Sequence, residues 1–482
     1  IIYRGSLIMK FEAVIGLEVH SQLKTKSKLF SSSNTDFGSH PNSNVSEVDL
    51  GLPGVLPVIN SKAVDLAIIA GLSTNCKINK ISTFARKHYF YPDLPKGYQI
   101  SQYDEPLASK GQLEIKLNKK NKKIIRINRI HMEEDAGKLI HDLSEENSMV
   151  DLNRAGVPLI EIVTEPDMSS SEEAVEYLKR LRNILIFSGV SDCNMEEGNF
   201  RCDANISVRK VGTKKLGTKT EIKNVNSFRF VQKAIDYEIE RQIKLIKDGK
   251  NIVQETRLFN SDSNKTYAMR SKEDAHDYRY FPDPDLQPLV LTDERIESIK
   301  SSRYVSFDEK MNKYLEDYKL SKEDAEILLS SKVINEYFDS TLNYIKEPNI
   351  VCNWITSELI RFINKEDFNL SEENFASLLK AVIAGEINNN SAKDILVKIV
   401  TTNKNVKDVI KDFGLEQESS EEFLNNIVDE ILKNNRDEHK RIMDGETKLI
   451  SFFVGQAMKE TKGKGNPKII NEILRNRFNV KE

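Results

Sequence analysis

The sequence predicts an α+β protein, with a mixed or antiparallel sheet in its first part and helices alone in the rest. Three observations carry that reading. Short runs with two-residue alternation crowd the first ~290 residues, where most of the glycine and proline also lies. From Thr292 the apolar spacing turns helical and helix-start signals recur. The 482 residues are 39% hydrophobic and 30% charged, which suits roughly three soluble domains with cores of their own.

The elements follow in order. In Phe11 to Leu23, the residues Phe11, Ala13, Ile15, Leu17, Val19 and Leu23 make one face of a strand. Glu12, Val14, Gly16, Glu18, His20 and Gln22 make the other. Leu113 to Leu117 and Ile124 to Met132 flank Asn118 to Lys122 and read as a hairpin. Arg201 to Arg209 sets Cys202, Ala204, Ile206 and Val208 against a polar face of Arg201, Asp203, Asn205, Ser207 and Arg209. Glu172 to Phe187 and Phe228 to Lys247 have helical spacing. Further on, Ser321 before Asp324 and Ser391 before Asp394 read as capping boxes. Ser371 and Gly385 read as the caps of a helix through Phe375 to Ile383. The resulting parts are 9–291, a sheet domain; 292–408, a helical domain; and 409–482, a small helical tail. Residues 1–8 precede the first methionine, Met9, and read as an upstream extension.

Composition excludes several classes of function. The net charge is −3, from 71 basic and 74 acidic residues, so the chain is no basic nucleic-acid coat. Mean hydropathy is −0.48, and no apolar run approaches the ~20 residues of a membrane span. Cys76, Cys193, Cys202 and Cys352 form no C-x-x-C pair, which argues against a disulfide framework or a cysteine-rich zinc site. No signal peptide opens the chain, and the expected compartment is the cytoplasm. The tail is split in charge. Lys411 to Glu438 holds 3 basic and 9 acidic residues, net −6; Lys440 to Lys481 holds 10 and 4, net +6. A solvated helix face gives such a pattern, and so does a surface for a phosphate backbone. The second reading points to Lys462, Lys464, Lys468 and Arg475 as contacts to a phosphate backbone.

The sheet domain collects acids at strand positions. Glu18 and His20 lie two apart and share a strand face. Glu133 and Glu134 follow the hairpin, Asp203 sits on the polar face of its strand, and Glu221 and Lys223 follow in another. Carboxylates with one histidine and no thiolate suit Mg²⁺ or Mn²⁺. Arg201, Arg209, Lys219, Lys223 and Arg279 suit phosphate oxygens. Acids for a hard cation and bases for phosphates are the parts of nucleotide-dependent phosphoryl transfer. There is no Walker loop and no kinase glycine loop, so an ATP site here has another architecture. A salt-bridged solvent face would give the same alternation. Two aromatic segments, His88 to Gln99 with Tyr91 and Lys96, and His276 to Asp285, are kept irregular by proline. They suit either packing onto the sheet or holding a base or a tRNA acceptor end.

Long motifs then resemble the B subunits of the tRNA-dependent amidotransferases. They are Phe11 to His20, Leu52 to Pro57, Tyr89 to Lys96, Met132 to Lys138, Asp151 to Leu159, Arg201 to Asn205, Glu221 to Asn224, Tyr278 to Asp285 and Gly465 to Pro467. Together they cover the chain from Met9. The resemblance implies a cradle-like, glutamine synthetase-related catalytic domain, a helical domain and a tRNA-binding tail. It implies that ATP phosphorylates the side-chain carboxylate of glutamyl-tRNA(Gln) or aspartyl-tRNA(Asn). Ammonia then displaces the phosphate. The ammonia comes from a partner amidase (glutaminase), the A subunit, while a small C subunit holds the two together. The resemblance also implies metal ligands at Glu18, His20, Glu133 and Glu134. The strand argument adds Asp203 and Glu221 to the catalytic group; Arg201 and Lys223 join it as basic groups for phosphate, and Tyr91, Lys96, Arg209, Lys219 and Arg279 are the expected ATP contacts. Some relatives carry two cysteine pairs for zinc. Here Ser31 and Ser33 stand at the first and Val45 to Asp49 spans the second, so the expectation is no zinc and a loop held by other contacts. Two other readings stay open: a tRNA-binding scaffold without catalysis, and a free-standing carboxylate–amine ligase.

Overall fold

Strand β1, Phe11–Gln22, is central to the architecture because its alternation gives it one apolar and one functional face. A computed structural model describes residues 11–117, 121–140, 147–223, 225–271, 278–302, 304–365, 367–413, 421–443, 446–461 and 465–478. The other strands in chain order are β2 Phe84–His88, β3 Tyr98–Gln102, β4 Ala108–Lys116, β5 Lys122–Glu134, β6 Pro158–Thr164, β7 Phe200–Lys210, β8 Thr220–Lys223, β9 Glu255–Asn260, β10 Lys265–Ser271 and β11 Phe281–Pro282. They run β10-β9-β8-β7-β1-β6-β5-β3-β2-β11 across one sheet, with β4 beside β5. All of these pairings are antiparallel except β8 with β9, so the sheet is mixed, as expected. The predicted strands coincide with parts of β1, β4, β5 and β7, with Leu23 and Leu117 one residue beyond β1 and β4. The short β11 is a departure: Phe281 and Pro282 pair with Arg86 and Ala85 despite the proline, at the sheet's edge, where a missing N–H costs no ladder bond.

Helices α1 Ser61–Ser73, α2 Ser171–Phe187 and α3 Phe228–Lys247 serve this sheet. The serine N-caps Ser170 and Ser227 accept backbone N–H bonds from Glu173 and Phe230. Helices α2 and α3 pack together and against β4 and β7, covering the apolar face. That face carries Ala13, Ile15, Leu17, Val19, Ala204, Ile206 and Val208, all buried. Glu238 of α3 is fully buried, but Arg241 grips it through two bonds of 2.9 and 2.6 Å, and Gln242 and Thr266 complete its partners. The opposite sheet face is left for chemistry.

The loop after β1 has its own anchor. Asp49 accepts Ser31 Oγ at 2.8 Å, Ser33 Oγ at 2.6 Å and the Ser46 N–H at 2.8 Å. Lys28 Nζ lies 3.2 Å from it, with the Lys28 side chain wholly buried. The two segments aligned with cysteine pairs thus come together around a carboxylate and an ammonium.

The residues divide into two compact units, 1–310 and 311–482. The first includes helix α4, Asp293–Ser302, past the change of period at Thr292. Arg295 of that helix binds Asp65 of α1 at 2.8 Å, and Asp293 binds Lys80. The second unit is helical. Ser321 and Ser371 cap their helices as expected, and Gly385 takes a left-handed φ of 73° just past helix α5, Glu372–Ile383. Ser391 does not cap. Asn388 accepts its N–H at 2.9 Å, so helix α6, Asn389–Thr402, starts earlier, capped by that amide oxygen. Helices α7 Glu421–Asn434, α8 Ile450–Glu460 and α9 Pro467–Arg477 share a core that includes Leu424, Val428, Phe453, Ile470 and Leu474. Among the described residues no helix is long and apolar enough to cross a membrane.

Candidate active site

Strand register builds the site. His20 of β1 stands opposite Arg201 of β7 on one side and Glu161 of β6 on the other; Glu161 in turn faces His131 of β5. Directly opposed residues share a sheet face, so Arg201, His20, Glu161 and His131 form one row across four strands. The row beside it holds Asp203, Glu18, Val163 and Arg129. Glu133, two residues beyond His131, returns to the same face.

These side chains converge. His20 Nε2 lies 3.4 Å from Glu161 and 3.6 Å from Glu133. His131 Nε2 lies 3.3 Å from Glu161 and 3.8 Å from Glu133. Arg129 reaches His131 Nδ1 at 3.4 Å, and Ser101 Oγ donates to Glu133 at 3.3 Å. One ligand atom each from His20, Glu133 and Glu161 can lie within 4.8 Å of one another. The donors are two carboxylates and an imidazole, a set that fits Mg²⁺ or Mn²⁺.

The group opens into a cavity of about 680 Å³. Glu18, Glu133, Glu161, Asp203, Glu221 and Glu255 line it, an excess of acid over the lysines and arginine around them. The strain of that excess is visible in the titrating groups. Burial, then the charges of Glu161, Glu221 and Asp203, push the Glu18 carboxyl above the usual range. Burial disfavours protonated imidazole, yet hydrogen bonds to Glu133 and Glu161 outweigh it and raise His131 to about 9. His20 is raised on the same balance, through Glu161 and Glu133. Both shifts have one cause, carboxylates that favour a positive charge at this point, which is also what would favour a bound cation.

Sequence-expected residues divide by where the register sends them. Glu18, His20, Glu133, Asp203, Glu221, Lys223, Lys219 and Tyr91 all line the cavity. Asn205 donates to Glu18 at 2.9 Å, Lys223 to Asp203 at 2.6 Å, and Thr256 to Glu221 at 2.8 Å. Glu134 is not brought to the group. Consecutive strand residues point to opposite faces, and its carboxylate accepts Lys96 Nζ and the Ile100 N–H on the far side. Lys96 is therefore turned away from the cavity with it. Arg201 shares the cavity's face but binds buried Asp135 at 3.0 Å. Arg209 binds Glu12 at 2.7 Å. Arg279 is not among the lining residues. Lys468 and Arg475 lie on α9, Lys468 exposed and Arg475 bonded to Asn471 at 2.7 Å. Lys462 and Lys464 lie outside the described residues, as do 1–8 and Asn118 to Lys120.

Glu161, His131 and Arg129 were missed. Glu161 is the one charge within Pro158–Thr164, and Arg129, His131 and Glu133 alternate with Ile130 and Met132. Those patterns were the available signal. A second, apolar slot of about 300 Å³ continues from the cavity past Glu18, Asn205 and Lys219, lined also by Val14, Gly16, Pro166 and Leu216. Among the described residues Lys219, at the junction, forms no ion pair.

Comparison with known proteins comes from whole-chain similarity. The family model of the GatB/GatE catalytic domain matches residues 13–297, and that of the GatB domain matches 336–478. The chain is 51% identical over 471 residues to the B subunit of the aspartyl/glutamyl-tRNA(Asn/Gln) amidotransferase of Thermodesulfovibrio yellowstonii, covering 97% of this chain and 99% of that one. It is 51% identical over 472 residues to the same-named protein of Persephonella marina, with the same coverage. For Rickettsia rickettsii the identity is 48% over 474 residues, 97% of this chain and 98% of the other.

Proposed function

The chain belongs to the GatB/GatE family, and from that premise we propose that it is the transamidating subunit of a tRNA-dependent amidotransferase. Its substrates are misacylated glutamyl-tRNA(Gln), aspartyl-tRNA(Asn) or both, and its products the amides. The supporting observation is the convergence of His20, Glu133 and Glu161 in a carboxylate-lined cavity, with the uncommitted Lys219 at its side.

A carboxylate is a poor acyl donor and an acyl phosphate a good one. The side-chain carboxylate of the aminoacyl group attacks the γ-phosphorus of ATP, and ADP leaves. Ammonia then attacks the acyl carbon, and phosphate leaves. His20, Glu133 and Glu161 would hold Mg²⁺ or Mn²⁺, which neutralises phosphate charge when bound. Lys219 and Lys223 meet the phosphates from the β7–β8 side, with the nucleotide's base toward the apolar slot. Asn205 and Arg129 fix the Glu18 and His131 side chains, so alignment supplies much of the rate. The cavity walls keep water from the acyl phosphate. Ammonia arrives from a partner amidase, the A subunit, in a complex with a small C subunit. The catalytic part is taken as a cradle of the glutamine synthetase type, 9–291, followed by a helical domain, 292–408, and the tail, 409–482, which contacts tRNA through Lys468 and Arg475.

In the assembled enzyme, Glu18→Ala and His20→Ala should abolish amide formation while tRNA binding persists and glutaminase activity partly survives. Full amide formation in His20→Ala would remove the metal assignment, and full amide formation in both variants would remove the catalytic reading of this cavity. A scaffold without catalysis predicts no loss in either.

A further inference from the structure

The cavity has two unlike walls, and the phosphoryl-transfer reading uses only one of them. On the β7–β8 side are Lys219, Lys223 and the acids. Across the acid group, on the β3–β2–β11 side, Lys87, Tyr91, Tyr103, Tyr278 and Tyr280 line the same cavity. We infer that this aromatic wall seats the 3′-terminal nucleoside of the aminoacylated tRNA, its base stacked at Tyr103 and Tyr280 and its phosphate near Lys87. The inference rests on the function proposed above and names where one of its substrates sits.

Tyr103 and Tyr280 stack with centroids 4.1 Å apart and planes 8° from parallel. Tyr103 is nonetheless 51% exposed, which is a poor use of an aromatic ring in folding alone. The pair extends through Tyr278, 6.2 Å from Tyr280, to Tyr89, 6.0 Å beyond. Lys87 Nζ stands 5.0 Å over Tyr278 and 5.6 Å over Tyr89, and among the described residues it forms no ion pair. Rings beside an uncommitted cation are what a nucleotide needs, since every base offers a π-face and every link a phosphate.

The wall is held in place before any ligand arrives. Arg279, between the two tyrosines, takes a left-handed φ of 42°, a conformation costly for a side chain of its size. The His88 N–H donates to the Tyr278 carbonyl at 2.8 Å, β11 pairs with β2, and buried Asp283 binds Arg86 at 2.9 Å. Such anchoring lowers the ordering cost of binding.

Two ligands of this reaction carry a base, ATP and the tRNA end. Sheet order separates them. Attacking and leaving oxygens lie roughly in line on the transferred phosphorus, so the two substrates approach the metal ligands from opposite sides. With the triphosphate on the Lys219 side, the aromatic wall faces the aminoacyl end.

The test uses the assembled enzyme with Tyr103→Ala and Tyr103→Phe, and tRNA with or without its terminal nucleoside. Tyr103→Ala should raise the KM for misacylated tRNA about tenfold or more, the scale of one base–aromatic stack, with the KM for ATP unmoved. Tyr103→Phe, which keeps the ring, should restore it. Removing the terminal nucleoside should weaken binding to wild type but add nothing in Tyr103→Ala. An equal truncation penalty in both proteins, or a rise in the KM for ATP alone, overturns the assignment. If Glu18→Ala and His20→Ala keep full amide formation, it is the function proposed above that fails; if they lose it while Tyr103→Ala binds tRNA as wild type does, only the aromatic seat fails.

Discussion

Replacing Asp49 with alanine strips the buried Lys28 ammonium of its counter-charge and leaves it with the Leu152 carbonyl at 3.3 Å. At the 3.2 Å separation of the pair, an effective dielectric of 20 gives about 5 kcal/mol of attraction. Breaking one partner of a buried pair costs about 3–5 kcal/mol. In a unit of this size that is a fall in melting temperature of roughly 5–8 °C. Ser31→Ala, which removes one hydroxyl donor, should cost about 1–2 kcal/mol. Lys28→Met with Asp49→Leu should cost less than the sum of the single changes, since no charge is then stranded. Thermal and urea unfolding followed by circular dichroism read wild type, the single variants and the double variant. The pH dependence has a definite sign. Burial would raise the Asp49 carboxyl, but the bonds from Ser33 and Ser46 and the charge of Lys28 hold it below its ordinary value. Its stabilisation is therefore present above about pH 4 and lost as pH falls through the lowered value; Asp49→Asn should lack that acid-side loss. A change under ~1 kcal/mol in Asp49→Ala, or strict additivity in the double variant, refutes the view that this pair replaces a metal as the loop's anchor.

Three further outcomes follow from the site and the tail. Lys219→Met should raise the KM for ATP about tenfold, measured by steady-state amide formation, with the KM for tRNA little changed. Mn²⁺ binding should release protons, because Glu161 and Glu133 raise the His20 imidazole and its metal-ligating form is the neutral one. Calorimetry in buffers of different ionisation enthalpy should show that release, and affinity should rise with pH; binding with no proton release would count against His20 as a ligand. Reversing Lys468 and Arg475 to glutamate should weaken tRNA binding and flatten its salt dependence by roughly one to two units of log–log slope.

Much of the fold was legible where one periodicity ran long. The predicted strand through Phe11 to Leu23 and the helix Phe228 to Lys247 match β1 and α3 closely, because alternation and helical spacing are local properties. The caps were less secure: Ser391 offered a hydroxyl, but Asn388 three residues earlier is an equally good cap and lies where the helix begins. The site was half legible for a related reason. Which acids share a strand face is local, so Glu18 with His20 could be paired from spacing alone. Which strand lies beside β1 is not local. Glu161 joins His20 only through the β1–β6 register, and Glu134 departs only because Glu133 has taken the cavity face. The resemblance marked both glutamates of the pair, and strand geometry separated them. That Arg201 and Arg209 pair with Asp135 and Glu12 could not be read from spacing, since those partners lie on, or just past, other strands of the sheet.

The central claim is that this chain carries its own phosphoryl-transfer centre, built on His20, Glu133 and Glu161. It is tested most directly by tRNA-dependent ADP formation in the assembled enzyme with glutamine and ammonia withheld, comparing wild type, Glu161→Gln and Glu134→Gln. The account predicts ADP release stimulated by misacylated tRNA in wild type, a loss of roughly 10- to 100-fold or more in Glu161→Gln, since even residues that only support metal ligands cost that much, and retention within a few-fold in Glu134→Gln. ADP release by Glu161→Gln at the wild-type rate would contradict it.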